Sequence, residues 1–206
     1  TYSALRENPS LVWKKLNEHQ RRHSKDYYYK IRACSSRTKT TQAARFIYLN
    51  RACFNGLYRV NSKGTFNVPK GSKDTIVFSD DNFESISNLL TNTSLLLQDF
   101  EATLTNTEAG DFIYIDPPYT VKHNNNNFIK YNEKLFSWED QVRLSHILNE
   151  GAVRGAKILI SNANNQCIRD LYSSKLWKMK VLYRYSILAS DAKKRRRTSE
   201  LILYNY

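Results

Sequence analysis

The chain has 206 residues, 41% of them apolar, enough for one large domain or a domain with an insertion around a real core. No apolar stretch nears the roughly 18 residues of a membrane span and no charged-then-apolar leader opens the sequence, so a cytoplasmic protein without a membrane partner is expected. A net charge of +13 and an isoelectric point near 9.6 favour a polyanionic partner, nucleic acid first, over a neutral small molecule alone; a basic surface kept for solubility is the other reading.

Asn8-Pro9-Ser10 ahead of Leu11, Val12 and Leu16, with Lys14 and Lys15 between them, predicts a short amphipathic helix. Residues 17 to 45 are rich in Lys, Arg, Gln, Ser and Thr around Tyr27-Tyr28-Tyr29 and read as helices joined by a polar loop near Ser35 to Thr41. His19 and His23 stand at helical i,i+4 spacing, which suits a polar helix face. Cys34, Cys53 and Cys167 never form Cys-x-x-Cys, so no metal site is assigned. From Phe46 to Val68 aromatics are interleaved with Asn, Arg and Gly, and Pro69-Lys70-Gly71-Ser72-Lys73-Asp74 makes a turn. Residues 82 to 96 look helical again.

The strongest element is Asp111-Phe112-Ile113-Tyr114-Ile115, an apolar strand running into Asp116-Pro117-Pro118-Tyr119, where two prolines forbid both helix and ladder. Asp116 therefore sits at a strand's carboxyl end, where open α/β sheets place their chemistry. After a polar loop with Asn124 to Asn127, Ser137-Trp138-Glu139-Asp140 resembles a capped helix start, with Val142, Leu144, Ile147 and Leu148 on an apolar face and Gly151 and Gly155 ending the helix. Lys157-Ile158-Leu159-Ile160-Ser161 reads as the next parallel strand, a helix lies near Ile168 to Lys175, and Val181 to Leu188 pairs with Glu200 to Tyr206. Strand, helix, strand, helix, hairpin is the second half of an α/β sheet.

Methylation of an adenine amine is a reaction that Asp116 and a backbone carbonyl can serve. The exocyclic amine of adenine is a poor nucleophile because its lone pair is delocalised into the ring. If Asp116 accepts one N–H and the carbonyl of Pro117 the other, the amine is drawn toward tetrahedral geometry and its lone pair points at an incoming methyl group. Proline has no N–H to compete there. Tyr119 supplies a face on which an extruded base stacks, a contact worth roughly 1–3 kcal/mol. The other reading is a strand-ending Asp-Pro turn with a core tyrosine.

Residues 111 to 119 resemble the catalytic motif of Dam-type (class alpha) DNA adenine-N6 methyltransferases. Phe46-Ile47-Tyr48-Leu49-Asn50-Arg51-Ala52-Cys53-Phe54-Asn55-Gly56-Leu57-Tyr58-Arg59-Val60-Asn61 is similar to the same family's target-recognition segment, which continues from Gly64 to Gly71. Arg197 to Tyr206 resembles its carboxyl terminus, so the likeness covers nearly the whole chain. The resemblance implies an α/β fold: a partial Rossmann-like S-adenosylmethionine-dependent methyltransferase sheet with an inserted helical and β-hairpin DNA-recognition domain. Residues 1–20 and 76–206 would form the catalytic domain and 21–75 the target DNA recognition domain. It further implies methyl transfer from S-adenosylmethionine to adenine N6 in double-stranded DNA, at GATC. Asp116, Pro117, Pro118 and Tyr119 would carry catalysis, and Asp99, Phe100 and Asp116 would face the cofactor; Asp99 also reads as an ordinary strand-to-loop acid. Methylation of cytosine N4 is disfavoured, since such enzymes more often carry Ser where Asp116 stands.

Within the recognition segment, Phe54, Asn55, Leu57 and Arg59 form what a groove-reading hairpin needs: a wedge, an amide, an apolar contact and a guanidinium. The resemblance implies that Phe54 inserts near the flipped base, Asn55 partners the vacated space, Leu57 and Pro69 touch base edges and Arg59 reads guanine. Asn61 is counted with these contacts. Arg51 and Lys63 are expected at phosphates. Alternatively Phe54, Leu57 and Tyr58 are core residues of a hairpin and Arg59 a solvated charge. Lys193 to Arg197 either tracks DNA or forms a solvated hairpin loop.

Methyltransferases of this architecture hold the methionine end of the cofactor with a glycine-rich loop after the first strand, because only glycine lets backbone approach the ligand so closely. Here no glycine precedes Gly56, and those at 64, 71, 110, 151 and 155 form no G-x-G. The first strands, glycine loop and ribose-binding acid are therefore expected upstream of this chain. A trimmed fragment, a split enzyme with a complementing chain carrying the glycine loop, and a natural remnant retained for DNA binding all fit. The last gives the competing function, a DNA-binding module without turnover.

Overall fold

The computed structural model describes residues 1–61, 63–120, 136–185 and 197–206; the predicted loop at Asn124 to Asn127 and the basic run from Lys193 to Arg196 lie outside them. No helix among the described residues is long and apolar enough to cross a membrane. The chain divides into two compact units, Thr1–Leu96 and Leu97–Tyr206.

The first unit is built from helices α1 (Tyr2–Glu7), α2 (Pro9–Arg21), α3 (Lys25–Ala33), α4 (Lys39–Ala52) and α5 (Phe83–Leu90). Helix α2 starts at the predicted place, with Pro9 in the first turn, where its missing N–H removes no helical bond. Ser24 caps α3 by accepting from the Tyr27 amide, and Thr38 with Thr41 forms a reciprocal capping box on α4. The change of pattern at Phe46 is not a boundary: α4 runs on to Ala52 because Ala44, Tyr48 and Ala52, one helical turn apart, are all buried. The helix predicted over 82 to 96 stops at Leu90. Residues 1–20 and 76–96, read from the sequence as catalytic, pack in this unit, α1 against α5 and α2 against α4.

His19 and His23 do not form a polar face. His19 stacks on Tyr48 with ring centroids 4.8 Å apart and is hydrogen-bonded to the Tyr27 hydroxyl at 2.9 Å. His23 Nδ1 is hydrogen-bonded to the Tyr48 hydroxyl at 2.8 Å. Burial lowers His23 below its ordinary value and holds His19 down at about 4.

The second unit carries a four-stranded sheet in the order β1-β2-β4-β3, formed by β1 (Phe112–Ile115), β2 (Lys157–Ala163), β3 (Lys178–Tyr185) and β4 (Arg197–Tyr204). β1 and β2 are parallel, with Ile115 opposite Ile160, and β4 runs antiparallel to both β2 and β3. Helices α6 (Phe100–Leu104), α7 (Trp138–Val153) and α8 (Gln166–Leu171) complete it. This is the mixed α/β arrangement expected from the sequence. Ser137 and Asp140 form the predicted capping box at the start of α7. Gly151 lies within α7, whereas Gly155 follows it at φ +99°, a conformation that an L side chain rarely adopts. Leu144 and Leu148 of α7 are buried with Ile158, Ile160, Ile168, Leu201 and Leu203, so the core lies directly beneath the end of β1.

The half-buried His19 gives the first unit a pH limb of defined sign. Its folded value lies below the unfolded value of about 6.5, so its contribution is complete above that pH and is lost as pH falls toward 4, because the unfolded chain takes up the proton first. Thermal denaturation of His19→Gln is expected to show a shallower loss over that interval than the wild type; an unchanged slope would remove His19 as its source.

Candidate active site and recognition loop

β1 delivers Asp116 into a loop that cannot continue the ladder, since Pro117 and Pro118 have no N–H. Asp116 and Pro118 are exposed, Pro117 and Tyr119 half-buried and Thr120 buried. The Tyr119 hydroxyl is hydrogen-bonded to Ser161 Oγ of β2 at 2.7 Å, and Thr120 Oγ1 donates to the Phe136 carbonyl at 2.7 Å. Burial pushes the Tyr119 phenol up, with the Ser161 hydrogen bond acting against it.

A cavity of about 410 Å³ opens beside this loop, lined by Asp116, Pro117 and Pro118 on one side and Asp99, Phe100, Asp140 and Arg143 on the other. The structure thus brings together the three residues expected at the cofactor. Tyr119 does not line the cavity.

Asp99 is the N-cap of α6, accepting from the Glu101 amide at 2.9 Å. Both of its carboxylate oxygens accept from Arg143, at 2.7 and 3.0 Å. Arg143 also donates to Glu101 at 2.8 Å and Asp140 at 2.9 Å and lies 4.2 Å from the Phe100 ring centroid. The Arg143 hydrogen bond holds the Asp99 carboxyl below its usual range. Arg143 was not singled out in the sequence; its place three residues after the capping Asp140 was the only local signal.

The recognition segment lies in the first unit. After α4, Phe54–Gly56 makes one 3-10 turn with Asn55 at φ 53°. The Phe54 amide donates to the Pro69 carbonyl at 2.9 Å and that of Gly71 to Ala52 at 2.8 Å. A Cβ on Gly71 would sit 2.6 Å from the Cys53 carbonyl oxygen, so this crossing needs glycine. Val60 is bridged antiparallel to Phe66, with the Asn61 amide donating to the Thr65 carbonyl at 2.9 Å. Asn61 Oδ1 accepts from the amides of Lys63 and Thr65, both at 3.0 Å, which commits that oxygen to the turn.

Phe54 and Leu57 are exposed and do not fill a core, whereas Tyr58 packs on Phe46 and Phe66 with centroids 4.7 Å from each. Asn55, Arg59, Lys63 and Pro69 are exposed, and Arg59 Nε donates to Asn67 Oδ1 at 3.1 Å. Arg51 departs from its expected place at a phosphate. It donates to Asp81 through both terminal nitrogens and to the Ile76 carbonyl at 2.9 Å, and it stacks over Phe78, so its guanidinium is committed inside the unit. A distant acid thirty residues along the chain decides this, which local sequence does not show.

The second unit thus sets Asp-Pro-Pro-Tyr at the end of a strand parallel to β2, with β4 and β3 continuing the sheet antiparallel, as expected of a methyltransferase sheet. Residues 1–192 match the D12 class N6 adenine-specific DNA methyltransferase family. The Type II methyltransferase M1.LlaDCHI of Lactococcus lactis subsp. cremoris is 34% identical over 100% of this chain and 75% of its own length. The Type II methyltransferase M.MjaIII of Methanocaldococcus jannaschii is 36% identical over 93% of this chain and 67% of its own length. A DNA adenine methylase of Serratia marcescens is 34% identical over 64% of this chain and 49% of its own length. The chain belongs to the D12 class N6 adenine-specific DNA methyltransferase family.

Replacing Arg143 with alanine removes every tie between α7 and the start of α6 named above. Hydrogen exchange in Arg143→Ala is expected to quicken severalfold at the amides of residues 99 to 104 while β2 and β4 stay protected. Unchanged exchange there would show that the cation does not hold this wall of the cavity.

Proposed function

We propose that Asp116, Pro117, Pro118 and Tyr119 carry transfer of a methyl group from S-adenosylmethionine to N6 of an adenine swung out of duplex DNA, at GATC. The observation that carries this reading is the exposed Asp116 carboxylate on the rim of a cavity shared with Asp99 and Phe100, at the carboxyl end of β1. Asp116 accepts one N–H of the adenine amine and the Pro117 carbonyl the other, which localises the lone pair toward the methyl donor. Tyr119 offers its ring to the base, with its hydroxyl tethered to Ser161.

The cavity, of about 410 Å³, has aromatic walls at Phe100 and Phe136, the Asp116 carboxylate, and Asp99 and Asp140 paired with Arg143, which supports its serving as part of the donor's site beside the glycine loop expected upstream. Bound there, S-adenosylmethionine supplies an electrophilic methyl group on a sulfonium centre. Arg143 fixes both Asp99 oxygens, so Asp99 shapes this wall and Phe100 offers the contact surface.

Residues 21–75 are assigned to target recognition. Phe54 acts as the wedge, Asn55 meets the space the base leaves, Leu57 and Pro69 touch base edges, Arg59 reads guanine and Lys63 meets phosphate. Their shared exposure on one loop and turn supports this reading. The choice of GATC rests on the resemblance of residues 46 to 61 to the Dam-type segment.

Asp116→Ala is expected to abolish transfer of labelled methyl groups to a GATC duplex while duplex affinity stays within a few-fold; retained turnover would remove Asp116 from the chemistry. Duplex binding by the wild type with no transfer would favour the binding-module reading. In competition against singly substituted duplexes, Arg59→Ala is expected to lose about 1–3 kcal/mol of discrimination at one guanine. A loss spread evenly over all sequences would make Arg59 a phosphate contact instead.

A further inference from the structure

We propose that Gln141, oriented by Asn162, is the positioning residue that sets the backbone of the Asp116–Thr120 loop for methyl transfer; this rests on the roles assigned above to Asp116 and Pro117. Both side chains are fully buried at the edge of the second unit's core. An amide placed there costs stability unless each end is hydrogen-bonded, so packing alone would favour leucine or methionine.

The hydrogen bonds run in one direction. Asn162 Oδ1 accepts from the Ala163 amide at 2.8 Å, and a backbone N–H can only donate. Asn162 Nδ2 is thereby turned to Gln141 and donates to its Oε1 at 3.2 Å. Gln141 Nε2 in turn faces the loop and is shared between the carbonyls of Pro118 at 3.3 Å and Thr120 at 3.5 Å. The loop needs such a donor. With no N–H at residues 117 and 118 it cannot extend the β1 ladder, and its carbonyls, that of the buried Thr120 above all, must find donors elsewhere.

The proline ring fixes φ at Pro118, and the Gln141 bond restrains its carbonyl, so the peptide plane carrying the Pro117 carbonyl has little freedom left. Ser161, the neighbour of Asn162 on β2, holds Tyr119 from the same strand. Consecutive residues of one strand thus restrain both the backbone and the ring of the motif.

Two variants separate positioning from packing. Gln141→Met keeps the volume and removes the donor. Its single-turnover rate at saturating S-adenosylmethionine and duplex is expected to fall by about tenfold to a hundredfold, with both affinities within about threefold of wild type. Gln141→Glu keeps the acceptor toward Asn162 but sets a carboxylate against two carbonyls. Its rate is expected to be low near about pH 8 and to recover toward wild type as pH falls to about 6, because burial raises that carboxyl and its protonated form can donate again. Wild-type rates in Gln141→Met, or a Gln141→Glu defect that does not respond to pH, would overturn the proposal. Absence of transfer in the wild type would overturn the proposed function instead, and amide exchange at Tyr119 and Thr120 then decides this inference. Faster exchange in Gln141→Met supports it, and unchanged exchange sinks it.

Discussion

β1 and β2 pair in register as far as Ile115 and Ile160, and past Asp116 the chain reaches two prolines that can donate nothing to a ladder. Backbone carbonyls at the edge of a core cannot be left without donors, so the turn is held by side-chain hydrogen bonds where the ladder stops. Thr120 closes onto Phe136, Tyr119 onto Ser161, and Pro118 onto Gln141. The Asp116 side chain is left exposed on a backbone held from several directions. A rigid support under a solvated carboxylate suits a reaction that depends on aiming a lone pair.

The first unit meets the same constraint by the same means. The segment from Val68 to Val77 belongs to no ladder beyond one bridge at Lys70, and side chains from the helices satisfy it. Tyr28 and Arg32 donate to the Val68 carbonyl, Arg51 donates to Ile76, and Gln20 donates to Asp74 while accepting from the amides of Ile76 and Val77. This explains why so many polar residues of α2, α3 and α4 point inward, His23 included, whose Nε2 lies 3.2 Å from the Lys73 carbonyl. A unit this basic spends part of its charge on its own backbone, so net charge overstates what is available to DNA.

What the sequence makes legible follows from how far away the deciding partner lies. β1, the Asp-Pro-Pro-Tyr turn, the Ser137–Asp140 capping box and the β3–β4 pair depend on neighbours a few residues off, or on period and proline chemistry, and could be read directly. The meeting of Asp99 and Phe100 with Asp116 came only through resemblance. Arg51 is decided by Asp81, Arg143 by Asp99, and Gln141 by Asn162, each partner 21 or more residues away by number. Apart from the i,i+3 spacing of Asp140 and Arg143, no local pattern distinguishes these side chains from solvated ones. The run after Phe46 shows no leucine-rich face for a related reason: tyrosine and alanine on one helix face make a core as well as leucine does, when the tyrosine hydroxyls find partners.

Exposure of Asp116 bears on how the proposed chemistry fits with folding. Without a base over it, the carboxylate remains solvated, and the fold need not bury an unpaired charge. When a base covers it, the same group loses water while gaining an amine N–H, in surroundings where a hydrogen bond to a charge is stronger than in bulk solvent. The cost of desolvation therefore falls at binding rather than at folding. The buried amides behind the loop carry no charge and remain hydrogen-bonded throughout, so they can hold the backbone without a comparable cost. Charge at the rim and neutral amides beneath it are what a site needs if it is to stay folded without its base and be aimed when the base arrives.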